Sequence, residues 1–177
     1  KSIFKAYDIR GVVGTELTTP VVKKIGQAIG SMALAQEQKT ICVGYDGRLS
    51  SPELSVILID GLLSTGIDVI NIGLCSTPML YFSNFHQKTG TGVMITGSHN
   101  PPEYNGFKIV INEKTLTSGD ILNLYQTILD SNYLNGEGEQ KSLSIKTHYL
   151  DEISNSIKLK RSMKVAIDCG NGAAGVC

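Results

Sequence analysis

The residues that could do chemistry sit in one stretch, Thr96-Gly97-Ser98-His99-Asn100-Pro101-Pro102-Glu103-Tyr104-Asn105-Gly106-Phe107-Lys108. It offers a hydroxyl at Ser98, an imidazole at His99 and an ammonium at Lys108. Gly97 lets the backbone turn sharply before the serine and leaves room for a large group on its hydroxyl. Pro101 and Pro102 stiffen the loop and limit the serine's freedom. A nucleophilic serine needs a proton acceptor; a phosphorylated one needs cations around its oxygens. Two other readings stand beside these. Gly, Ser, Asn and Pro are turn residues that any connecting loop uses. A serine beside a histidine also suggests a hydrolase, although side chains adjacent in sequence diverge and the stretch lacks a G-x-S-x-G elbow.

The surrounding elements decide where this stretch lies. Residues 18–36 carry Val22, Ile25, Ile29, Met32 and Ala33 at helical spacing, with Thr18 or Thr19 able to cap and Pro20 suited to the first turn. Residues 40–45 read as a short apolar strand ending in the turn Asp46-Gly47-Arg48. Ser50-Ser51-Pro52-Glu53 then opens a helix, with serine as cap. Residues 67–72, 91–96 and 106–112 read as three more strands, and a helix beginning at Thr77-Pro78 separates the first two of them. Ser118 is the expected cap of a helix over 119–129; residues 132–144 read as a polar, glycine-rich loop and 148–160 as a last helix.

This order predicts an α/β fold, a three-layer αβα domain with a mixed, mostly parallel four-stranded sheet. The first three strands are joined through helices and should be parallel; the fourth follows a short loop and should pair antiparallel with the third. On such a sheet the 96–108 stretch lies at the carboxyl ends of the strands, where ligands gather, with residues 44–48 and 73–77 on the same edge. Residues 164–169 read as a further strand running into a glycine-rich turn that opens a helix. Residues 1–160 are therefore expected to form one domain and 161–177 the truncated start of a second.

Composition narrows the function classes. Apolar residues make up 41% of the 177 and charged residues 18%, which suits a globular chain with a real core. Sixteen basic residues balance sixteen acidic ones, with no basic block, so neither nucleic acid nor a membrane is an expected partner. No signal peptide or apolar run of membrane length is present. Cys42, Cys75, Cys169 and Cys177 have no metal-like spacing and read as reduced thiols of a cytoplasmic protein.

Residues 96–101 match in full the T-[AG]-S-H-N-P loop of the α-D-phosphohexomutases, and residues 102–108 resemble its continuation in the phosphomannomutase/phosphoglucomutase branch. The phosphoglucosamine mutases are a related alternative, but their branch tends not to share that continuation. Residues 4–11 (FKAYDIRG) resemble the family's amino-terminal motif, 44–51 (GYDGRLSS) the motif after the first long strand, and 168–175 (DCGNGAAG) the opening of the second domain. The resemblance spans the whole chain.

It implies that Ser98 carries a phosphoryl group and donates it to a hexose 1- or 6-phosphate, giving a bisphosphorylated sugar that returns its other phosphate. It implies Mg²⁺ on the phosphorylated Ser98, and a glucose 1,6-bisphosphate-type activator. Lys108 matches the lysine near the reacting hydroxyl, and is preferred to His99 as proton carrier. Arg10 matches an arginine of the active cleft, and Tyr7 a neighbouring aromatic whose alternative role is to pack under the loop. Asn100 is expected to orient the loop or touch substrate; Arg48 is expected to pair with Asp46 or another local carboxylate, in a structural role. His86 and His148 are expected at the surface. Tyr45 departs from the family, which often has arginine there. The family's D-G-D-x-D-R metal loop is absent, so the aspartates completing the metal site are not in this chain. The chain is thus expected to be a fragment of a mutase, inactive alone; the alternative is a non-catalytic phosphosugar-binding module.

Overall fold

The computed structural model describes residues 2–170 and 172–176. The elements are β1 (Ile9–Val12), α1 (Thr19–Ala35), β2 (Thr40–Tyr45), α2 (Ser51–Leu63), β3 (Asp68–Leu74), α3 (Thr77–His86), β4 (Gly92–Ile95), β5 (Tyr104–Ile111), β6 (Lys114–Thr115), α4 (Ser118–Asp130), β7 (Gln140–Ser142) and α5 (Lys146–Ser156), with a 3₁₀ turn at Ala173–Val176. One mixed sheet runs in the order β1-β5-β4-β2-β3-β7, and β6 forms a hairpin with β5. β2 pairs parallel with both β3 and β4, and β5 runs antiparallel to β4, as the connections required.

The sheet therefore has seven strands rather than four. β1 lies antiparallel on the free side of β5, and β7 adds in parallel beyond β3. Each of the three added strands is four residues or shorter. So few residues show no period of their own; their ladder partners create them.

Alternation sorts the strands into two apolar faces. Ile41, Val43, Val69, Val93, Ile95, Phe107 and Ile109 face a core closed by α1, α2 and α4. Cys42, Ile70, Ile72 and Met94 face a smaller core with Met79 and Leu80 of α3 and Ile145. The main core forces α1 and α2 into close contact at two glycines. A Cβ on Gly26 would overlap the Leu58 carbonyl oxygen, and one on Gly61 the Lys23 carbonyl oxygen.

Several boundaries differ from expectation. The cap of α4 is Thr117, not Ser118, because Thr117 and Asp120 close a reciprocal capping box. The last helix begins and ends earlier, at Lys146–Ser156. Residues 164–169 form no strand: among the described residues they find no ladder partner, and Val165 and Ile167 are 69% and 80% exposed. An alternating pattern without a neighbour cannot satisfy its backbone as sheet. The expected helix after them is only the 3₁₀ turn, and Asn171 lies outside the described residues, as do Lys1 and Cys177.

Candidate active site

β2, β3 and β4 are parallel, so their carboxyl ends share one edge. β4 stops at Ile95, and the chain leaves the sheet for eight residues before β5 begins at Tyr104. Ser98 and His99 are exposed in this loop, and Asn100 is half-buried. Ser98 has φ +53°, a left-handed conformation unusual for a residue with a side chain. Its N–H donates to the Thr96 hydroxyl at 2.9 Å. Asn100 closes the turn by donating both its backbone N–H (3.0 Å) and its Nδ2 (2.9 Å) to the Gly97 carbonyl.

Arg48, at the end of the neighbouring strand's turn, reaches under this loop. Its Nη1 donates to the carbonyls of Pro101 (2.6 Å) and Tyr104 (2.9 Å), and its Nη2 to those of Ser98 (3.1 Å) and Asn100 (2.6 Å). Asp46 supports both sides. Its Oδ2 lies 3.5 Å from Arg48 Nε and accepts the Gly97 N–H at 3.3 Å. Its Oδ1 accepts the Arg48 N–H (3.1 Å) and the Ser51 hydroxyl (2.6 Å). The far end of the loop is fixed by buried Asn105, whose Nδ2 donates to the hydroxyls of Ser50 and Ser51 at 2.9 Å each. The serines that open α2 serve this network and make no side-chain cap.

Two cations stand on the neighbouring strands. Arg10 of β1 lies opposite Gly106 of β5, whose carbonyl accepts the Thr96 N–H. Lys108 lies opposite Met94 of β4. Directly opposed residues share a face, so Arg10, Thr96 and Lys108 stand on the α3 side of the sheet, beside the start of the loop. Arg10 Nη2 is held by the buried Asp8 carboxylate at 2.6 Å. The Lys108 side chain is half-buried and makes no hydrogen bond or ion pair among the described residues; nor does the imidazole of His99. Tyr7 is 71% exposed and does not pack under the loop.

A cleft of about 460 Å³ lies over the loop, with Asp46, Arg48, Ser98 and Asn100 on one wall and Gly170 and Ala173 on the other. Among the described residues no three His, Cys, Asp or Glu side chains converge as a metal site. His86 and His148, read as surface residues, are exposed, with their rings in tilted contact and centroids 4.7 Å apart.

The arrangement is a rigid turn that presents one hydroxyl at a sheet edge beside two cations. Of the residues named from the sequence, Ser98, His99 and Asn100 lie on this loop and Arg10 and Lys108 on its flanking strands, and the expected Asp46–Arg48 pair is present; the contacts of Thr96 and Asn105 and the four Arg48–carbonyl bonds were not foreseen. The D-G-R turn on the same edge was the available signal.

An αβα domain carrying such a serine turn is the class that fold and site define, and comparison with known proteins gives the family. The model for phosphoglucomutase/phosphomannomutase, alpha/beta/alpha domain I, matches residues 1–132. The chain belongs to the phosphoglucomutase/phosphomannomutase family. It is 47% identical over 175 residues to a phosphomannomutase/phosphoglucomutase of Pseudomonas aeruginosa, covering 99% of this chain and 38% of that protein. It is 45% identical over 178 residues to a phosphoglucomutase of Neisseria meningitidis, with the same two coverages. A solved family protein from Burkholderia thailandensis superposes with a TM-score of 0.86 at 40% identity, over 90% of this chain and 37% of that one. The chain spans less than two-fifths of the length of these relatives. No helix among the described residues is long and apolar enough to cross a membrane.

Proposed function

We propose that this domain carries the phosphoryl-transferring serine of a phosphohexomutase that interconverts hexose 1- and 6-phosphates, of mannose or glucose. The observation that carries the reading is Ser98: exposed, held at φ +53° on a turn tied down by Arg48, with Arg10 and Lys108 on the strands that flank the start of the loop. A loop that only connected two strands would need none of these.

In the first step the bond between the Ser98 oxygen and phosphorus breaks as phosphorus bonds to the free hydroxyl of the sugar phosphate. That hydroxyl gives its proton to a base, and the Ser98 oxygen takes a proton as it leaves, so the serine hydroxyl is regenerated. The second step reverses this from the sugar's other phosphate. Phosphoryl transfer depends on alignment and charge neutralisation more than on covalent help from the protein. Lys108, acting as the neutral amine, takes the proton of the accepting hydroxyl and hands one on to the leaving Ser98 oxygen, with His99 as the second candidate for that role. Arg10 binds the incoming phosphate, and Tyr7 and Asn100 border its path. The phosphorylated Ser98 supplies one hard oxygen ligand suited to Mg²⁺, and carboxylates from the rest of the protein would supply the others. The metal, when bound, neutralises phosphoryl charge. Residues 161–177 open a second domain; the exposed apolar side chains of Val165 and Ile167 support this. The whole protein is a cytoplasmic enzyme of carbohydrate metabolism.

The test is the intact mass of the full-length protein, purified with Mg²⁺, before and after glucose 1,6-bisphosphate. The expected result is a gain of one phosphoryl group that maps to Ser98. No phosphate, together with no mutase turnover, would overturn the reading and favour a phosphosugar-binding module.

A further inference from the structure

Arg48 lines the same cleft as Ser98 and has the side chain best suited to holding a phosphate. Its donors are nonetheless spent elsewhere. Each terminal nitrogen makes two hydrogen bonds to loop carbonyls, and Nε faces Asp46. A guanidinium has five N–H groups; four are matched by the four carbonyls, and the fifth points to the Asp46 carboxylate, 3.5 Å away. Asp46 is committed in the same way, with both oxygens occupied by Arg48, Ser51 and Gly97. Arg10 differs: among the described residues only its Nη2 is engaged, by Asp8.

We infer that Arg48 is a positioning residue that fixes the direction of the Ser98 hydroxyl for phosphoryl transfer and does not bind the substrate's phosphate. The four accepting carbonyls belong to Ser98, Asn100, Pro101 and Tyr104, so the guanidinium gathers both limbs of the loop onto one plane. Gly97 completes the fit. A Cβ there would overlap the guanidinium carbon and Nε of Arg48. A methyl group at position 97 would therefore press on the guanidinium, which would have to shift to make room. Lysine cannot replace this fork, because its single nitrogen cannot span four carbonyls.

This inference rests on the phosphoserine reading, and its test separates the two. In the full-length enzyme, steady-state kinetics are measured with a hexose 1-phosphate for the parent, Arg48→Ala, Arg48→Lys, Gly97→Ala and the Gly97→Ala/Arg48→Ala double variant. Rates are taken per molecule able to accept phosphate at Ser98, counted by intact mass. The expected result is a fall in kcat of about 100-fold in both arginine variants, the scale of a misaligned reacting group. KM should stay within about threefold of the parent. Gly97→Ala, which presses on the guanidinium without removing charge, should lower kcat by less than the arginine variants do, and should cost nothing further once Arg48 is alanine.

A raised KM with kcat preserved would overturn the inference and make Arg48 a phosphate ligand. So would rescue by Arg48→Lys, or losses that multiply in the double variant. If Arg48→Ala does not fold, Arg48→Lys and Gly97→Ala decide the same point. A parent enzyme that takes no phosphate at Ser98 would instead sink the phosphoserine reading itself.

Discussion

Arg10 and Lys108 stand on the same face of the sheet, Arg10 opposite Gly106 and Lys108 two residues further along β5. Arg10 is braced by buried Asp8, whereas Lys108 has no partner among the described residues. The braced cation suits binding and the free one suits proton movement. In the full-length enzyme, Lys108→Ala should lower kcat by at least about 100-fold, the usual scale for a lost proton carrier. Ser98 should still take phosphate. Arg10→Ala should act mainly on KM. Steady-state kinetics of the two variants check this, and parent rates in Lys108→Ala would remove its role.

Ser98 combines an exposed hydroxyl with a backbone that side chains avoid. Ser98→Ala and Ser98→Gly should both abolish turnover and both remain folded. The glycine variant should be the more stable by about 1 kcal/mol, because only the alanine keeps a Cβ in the left-handed region. Urea unfolding of the two variants measures the difference. Equal stability would mean that the φ of +53° carries no strain.

The Thr117–Asp120 capping box should govern α4. Thr117→Ala should cost about 1 kcal/mol, the typical value of a lost N-cap. Asp120 is held below the usual carboxylate range, first by the backbone N–H of Thr117 and then by its hydroxyl. A folded pKa below the unfolded one gives stability that is complete above the unfolded value and is lost as pH falls through the folded one. Parent and Asp120→Asn should therefore differ at neutral pH and converge below about pH 4. Thermal unfolding across that range shows whether they do.

Cys42 is fully buried between β2 and α3, and burial pushes its thiol up, against smaller opposing effects of the Ser83 and Thr89 hydroxyls. Cys75 is equally buried. Neither should react with a maleimide at neutral pH in the native protein, since the thiolate is the nucleophile. Mapping the label by peptide mass tests this; modification of Cys42 without denaturant would show that α3 opens.

Much of this was legible before the structure. The apolar runs of β2, β4 and β5 and the spacing of α1 give period and length, and local chemistry sets both. The parallel start and antiparallel end of the sheet followed from the lengths of the connections. The 96–108 loop was legible because its turn residues and its hydroxyl are side-chain types.

Tertiary structure alone decided the rest. β1 and β7 exist because a partner strand supplies their hydrogen bonds, and residues 164–169 have the right alternation but no such partner. Arg48 is the sharpest case. Its partners are backbone carbonyls, which every residue possesses, so no residue type in the loop announces them. Its own type predicted a carboxylate, and Asp46 is one of its partners. Only the sheet, by setting the turn after β2 beside the loop after β4, brought one guanidinium within reach of four carbonyls.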